Sequence, residues 1–162
     1  MTDLRQTVEM PEKVTPVVIF GSGSIVTDAH LPAYRDLKVP VAGIYDPDLA
    51  KAQKVAGAWG TIAFETLEQA ASQAGVVFDL AVPPAAIPEL LEALPDGAIA
   101  VIQKPLGSDL GEADRIVSVL RRKNIKAAVN FQLRFAPNSL AIKDAIAKGL
   151  LGDIVDFDAW LA

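Results

Sequence analysis

Five short apolar runs, separated by helical patterns, constrain this chain more than any other feature. They are VVIF (17–20), VAGIYD (41–46), VVFDLAV (76–82), AIAVIQ (98–103) and KAAVNF (126–131). A strand with one wet face alternates apolar and polar residues. A near-continuous apolar run is the pattern of a strand covered on both faces. The segments between the runs read as helices. Residues 46–60 open on acids and Pro47 and close near glycines. Residues 67–75 stop at Gly75, and residues 85–97 are amphipathic and end in a turn. Residues 108–124 place Leu110, Ala113, Ile116, Val117 and Leu120 at helical spacing, with basic residues in the last turns that suit the helix dipole. Repeated strand–helix–strand order predicts an α/β fold, a doubly wound parallel sheet.

The end of the chain breaks this rhythm. Residues 137–152 read as a helix with a glycine stop. Residues 153–162, DIVDFDAWLA, then alternate, with Val155, Phe157, Ala159 and Leu161 on one side and Asp156, Asp158 and Trp160 on the other. That pattern predicts a half-exposed strand of an antiparallel sheet. One strand cannot make a sheet. The segment is therefore expected either to begin a further domain of a longer protein or to pair with another chain, which would promote self-association.

Composition narrows the function classes. The chain has 162 residues, 51% of them apolar, enough for a sizeable core. Its net charge of −5 opposes nucleic acid as the main partner, since phosphate backbones are bound by basic surfaces. The absence of cysteine excludes disulfides and thiolate metal sites, and a single histidine, His30, leaves little scope for a histidine-based one, so no metal is expected. The first 15 residues are charged and lack the apolar core of a signal peptide, and read as a flexible arm. No apolar run approaches the roughly 18 residues of a membrane span. A soluble cytoplasmic protein is the expectation.

The candidate chemistry begins at FGSGSIV (20–26). A strand that turns sharply into a helix leaves free N–H groups at the helix start, which with the helix dipole favour a phosphate. Gly21 permits the turn, and Gly23 lets the backbone approach a pyrophosphate. Asp46 ends the next strand at the spacing expected of a carboxylate that bonds a ribose 2′-hydroxyl. Two glycines alone fit a ligand-free βα turn; strand, helix and Asp46 together favour a dinucleotide. Val26 stands where a small residue normally packs the helix on the strand. It requires either an outward shift of the helix or a wider first turn. Pro32 reads as an early break in that helix.

In an open α/β sheet, ligands bind beyond the carboxyl ends of the strands. Three such ends stand out: Val82-Pro83-Pro84, Gln103-Lys104-Pro105 and residues 130–134. Lys104 would bring a cation to the crevice, and partial burial there would favour its neutral form and a role in polarising a substrate oxygen or relaying a proton. It reads equally as a solvated lysine beside a turn proline. For His30 a structural or cofactor-side role is expected rather than that of catalytic base, because the reacting carbon should lie further along the crevice. Trp59 and Trp160 read as packing residues.

Taken in order, FGSGSIVTDAHLPAY, Asp46, AVPP, QKP and NFQLRFAP followed by IKDAIAKGLLGDI resemble the glucose–fructose oxidoreductase/inositol dehydrogenase (Gfo/Idh/MocA) family from about Val17 onward. That family consists of NAD(P)-dependent oxidoreductases with an N-terminal Rossmann domain and a C-terminal α/β domain. The resemblance implies that Gly21, Ser22, Gly23, Ser24 and Ile25 line the pyrophosphate and that Asp46 meets the adenosine ribose. It implies that Val82 and Pro83 flank the cofactor, with Gln103, Lys104 and Gln132 completing the set. Lys104 matches the lysine of the family's Glu-Lys-Pro motif, the implied catalytic residue, and its bond to Pro105 is expected to be cis. Gln103 departs from the usual glutamate, Val82 stands where threonine is common, and no histidine follows His30.

Two readings follow. In the first, the chain is the nucleotide-binding part of an NAD(P)-dependent oxidoreductase acting on a sugar, cyclitol or related polyol, and is inactive alone. NAD is preferred to NADP because Asp46 would repel a 2′-phosphate. In the second, it is a non-catalytic nucleotide-binding or partner-binding Rossmann module, since fold alone does not decide function. The expected organisation is an arm over 1–15, a Rossmann domain over 16–132, and over 133–162 the first helix and strand of a truncated α+β domain that serves substrate binding or oligomerisation.

Overall fold

The computed structural model describes residues 3–160. These divide into two compact units, Glu12–Asn130 and the remainder of the described residues. The larger unit is a parallel sheet of five strands, β1 (Val17–Phe20), β2 (Val41–Tyr45), β3 (Val77–Leu80), β4 (Ile99–Gln103) and β5 (Lys126–Asn130), in the order β2-β1-β3-β4-β5. Each expected run forms its strand. A minimal further pairing lies outside β2, where Ile44 bridges Ala63 in parallel and exchanges bonds with Ile62 and Phe64. Counting it, the order becomes the 3-2-1-4-5-6 of dinucleotide-binding sheets. The TIAF segment that supplies it is too short to announce itself by periodicity.

β1 is buried along its whole length and divides its side chains between two cores. Val18 and Phe20 join Phe78, Leu80, Ile87, Leu91, Ile102 and Ile116 on one face. Val17 and Ile19 join Val26, Leu31, Ile44 and Val55 on the other. Strand alternation explains the split. Helices α1 (Leu31–Asp36) and α2 (Leu49–Trp59) cover the second face, and α3 (Leu67–Ala71), α4 (Ile87–Ala93) and α5 (Leu110–Arg122) supply residues to the first. β5 departs from the expectation of strands covered on both faces: it is the edge strand, and Lys126, Ala127 and Ala128 are exposed.

Local signals set the helix starts. Asp48 caps α2 by accepting from the Lys51 amide, and Gly60 ends it in the left-handed region. Thr66 caps α3 through the Gln69 amide while Gln69 Oε1 accepts from the Glu65 amide. Asp109 caps α5 through the Glu112 amide, and the Glu112 carboxylate accepts from the Ser108 amide at 2.6 Å.

The first helix corrects the expectation of an early break. Residues Val26–His30 form a π turn that runs directly into α1, with Pro32 in the first turn of α1. The Leu31 amide donates to the Val26 carbonyl, a five-residue step. This wider register opens the turn in which the proline ring would otherwise meet the carbonyl four residues back. It also seats Val26, which is fully buried against Ile19, Leu31 and Ile44. The wider first turn, one of the two accommodations expected for the bulky residue, is present.

In the smaller unit, α6 (Pro137–Ala147) forms as expected and Gly149 follows it with positive φ. The Arg5 amide donates to Asp144, and Lys148 donates to the Asp3 carbonyl. The strand expected over 153–162 is corrected: residues 153–160 carry no ladder and are exposed. A strand needs a hydrogen-bonding partner, and among the described residues none lies beside it. Residues 161–162 lie outside the described residues. Among the described residues no helix is long and apolar enough to cross a membrane.

Val26→Ala removes two fully buried methyl groups at the π turn and is expected to cost about 2 kcal/mol, read as a lower urea midpoint with an unchanged slope.

Candidate functional site

The strand order reverses on either side of β1, and the loops leaving β1, β2 and β3 diverge there. A cleft of about 450 Å³ opens at their carboxyl ends, walled by Gly21, Ser22 and Gly23, by Tyr45 and Asp46, and by Val82 and Pro83. The Gly21 amide is anchored on the Tyr45 carbonyl at 2.7 Å, and the Ala81 amide on the Phe20 carbonyl at 2.9 Å. Gly21 has a φ of +102°, and a Cβ there would lie 2.4 Å from the Ala81 carbonyl oxygen. The fold itself therefore demands that glycine. Gly23 is different, since a Cβ built on it meets no heavy atom within 4 Å.

Asp46 sits at the end of β2 and closes the cleft. Its Oδ2 accepts from the Ser22 amide at 2.8 Å and the Ser22 hydroxyl at 2.7 Å, and its Oδ1 accepts from the Asp48 amide at 3.0 Å. Lys51 Nζ stands 3.8 Å from Oδ2. Burial works against the charged form, but the Ser22 hydroxyl, the Asp48 and Ser22 amides and the Lys51 cation together hold the carboxyl below its ordinary range. Tyr45 is pushed up by burial, with the Glu68, Asp46 and Glu89 charges adding to it.

A second polar cluster lies further along the sheet. His30, 9% exposed, places Nδ1 2.6 Å from Oδ2 of Asp79, which is 1% exposed in the middle of β3. The Tyr34 hydroxyl donates to the same oxygen at 2.8 Å. Burial, then the Asp79 charge and that hydrogen bond, push the Tyr34 hydroxyl far above its ordinary range, so it remains a donor. His30 Nε2 lies 2.8 Å from Gln103 Nε2, and Gln103 Oε1 accepts from the Lys104 amide at 3.0 Å. The Lys104–Pro105 peptide is cis, and Lys104 is exposed. Of the two readings of Lys104, the solvated lysine beside a turn proline matches the structure, since the turn after β4 leaves the residue exposed.

Of the residues singled out from sequence, Gly21, Ser22, Gly23, Asp46, Val82 and Pro83 meet around one cleft. Ser24 and Ile25 begin the helix outside its lining and are exposed. Gln103 and Lys104 close β4, and Gln132 belongs to the smaller unit. Sequence reasoning passed over Tyr45, Lys51 and Glu89, which also line the cleft. The signal for the first two was their position flanking Asp46, one at the strand end and one in the first turn of α2.

A parallel sheet with a glycine turn, a helix start and a strand-end carboxylate at its switch point defines a Rossmann domain of the dinucleotide-binding class. The chain belongs to the Gfo/Idh/MocA oxidoreductase family, NAD-binding Rossmann fold, whose model matches residues 15–131. It is 31% identical over 123 residues to YceM of Salmonella typhimurium, assigned as an oxidoreductase, covering 74% of this chain and 39% of that protein. An NAD-binding oxidoreductase from Klebsiella pneumoniae superposes with a TM-score of 0.75 at 25% identity, over 86% of this chain and 40% of that one. KijD10, a 3-ketoreductase from Actinomadura kijaniata solved with TDP-benzene and NADP, shares the fold with a TM-score of 0.68 at 22% identity, over 88% of this chain and 45% of that one. The chain spans about two fifths of the length of the curated relatives it matches.

A carboxylate held below its ordinary range stabilises the fold above the unfolded-state value, and that contribution is lost as pH falls through the lowered native value. Asp46→Asn is therefore expected to lower the urea midpoint at neutral pH, and the gap to wild type to close as pH falls below about 4.

Proposed function

We propose that the chain is the cofactor-binding part of an NAD-dependent oxidoreductase that acts, in the complete protein, on a hydroxyl or carbonyl of a sugar, cyclitol or related polyol in the cytoplasm. The observation that carries this reading is the cleft at the switch point of the sheet, where the Gly21–Gly23 turn at a helix start meets the Asp46 carboxylate at the end of the neighbouring strand.

The residues present fit a dinucleotide. Gly21, Ser22 and Gly23 would face the pyrophosphate with amides at a helix start, where the dipole favours an anion. Asp46, charged at neutral pH and held in place by Ser22, would bond the ribose hydroxyls and repel a 2′-phosphate, which favours NAD over NADP. Val82 and Pro83 would pack on the cofactor from the end of β3. Bound nicotinamide supplies the hydride acceptor or donor. Lys104, at the end of β4, is the residue proposed to touch substrate. Its exposed ammonium would polarise the substrate oxygen and carry a proton to or from it.

Two variants of the chain test this by NADH fluorescence or calorimetry. Gly23→Ala is expected to leave stability within about 0.5 kcal/mol of wild type while weakening NADH about tenfold. Asp46→Ala is expected to weaken NAD more than NADP. Failure of wild type to bind either cofactor at millimolar concentration would overturn the reading.

A further inference from the structure

The buried Tyr34–Asp79–His30 cluster lies outside the cleft and takes no part in the function just described. Its hydrogen bonds can be assigned in only one way. The Lys104 amide can only donate, so the atom of Gln103 that receives it is the carbonyl oxygen, as found at 3.0 Å. The other end of the amide, which can only donate, then faces His30 Nε2 at 2.8 Å. Nε2 must therefore accept and carry no proton. The imidazole proton sits on Nδ1 and is donated to Asp79 Oδ2 at 2.6 Å, beside the Tyr34 hydroxyl. Asp79 Oδ1 is buried without a protein partner among the described residues. All the polar partners of the carboxyl thus converge on one oxygen, which aims the imidazole at the end of β4.

We propose that Tyr34, Asp79 and His30 are positioning residues for Lys104. They act through Gln103, whose amide holds His30 as the neutral Nδ1–H form and in return is held so that its oxygen fixes the Lys104 backbone. The groups that face His30 come from α1 (Tyr34), β3 (Asp79) and β4 (Gln103). The value of fixing Lys104 rests on the nicotinamide reading above; the proton assignment does not.

His30 is the only histidine in the chain, so a long-range proton–nitrogen NMR spectrum of the labelled protein contains one imidazole. At neutral pH the spectrum is expected to have a protonated Nδ1 and an unprotonated Nε2. A proton on Nε2, alone or together with Nδ1, would overturn the assignment. Gln103→Glu replaces the donor by an acceptor, and both nitrogens are then expected to carry protons; an unchanged neutral ring would count against the proposal. His30→Leu removes the Nε2 acceptor and releases the Gln103 amide, and the Lys104 amide proton is then expected to lose its acceptor and move upfield. His30→Phe serves the same purpose should His30→Leu not fold. A Lys104 amide that stays in place in a folded variant would refute the positioning role. An NADH titration of the same samples separates the two ideas, because lost binding with the expected imidazole pattern would remove the nicotinamide reading alone.

Discussion

Gly21 passes so close to the Ala81 carbonyl that no side chain fits between them, and the rest of the site depends on that contact. It lets β1 end level with β3 while the chain turns away into the first helix. The turn in turn delivers the Ser22 amide and hydroxyl to Asp46 at the end of β2. Three strand ends are thereby drawn around one cleft. β1 is buried on both faces, and the loop that follows it is tied to β2 through the Gly21 amide and Ser22.

The first helix starts at the same strand end. Its π turn buries Val26 in the second core at one end and sets His30 against Asp79 at the other. The sheet then holds two polar constructions, one lining the cleft at Asp46 and one buried around Asp79 and His30.

Much of this was legible in the residues. Each apolar run became a strand, including β5, which lies at the sheet edge with its first three residues exposed. The glycine pair, Asp46 and the Val82-Pro83 turn were visible as signals because their chemistry is tied to positions at strand ends. The minimal pairing at Ala63 was not, since a single bridged residue has no period. The strand expected near Val155 and Phe157 was a correct reading of alternation but not of structure, because alternation describes a face and a strand also needs a neighbour.

What the amino-acid sequence determined by itself was the fold class and the place of the candidate site, since both follow from local periodicity and from residue types at element ends. Only the tertiary structure decided that Gly21 is demanded by the fold while the space beside Gly23 is open, for that depends on what lies across from each Cα. It alone brought His30 and Tyr34, one helical turn apart, to Asp79 and Gln103 on two separate strands. Hydrogen-bond direction is a property of atoms brought within about 3 Å of one another, and no linear pattern records it.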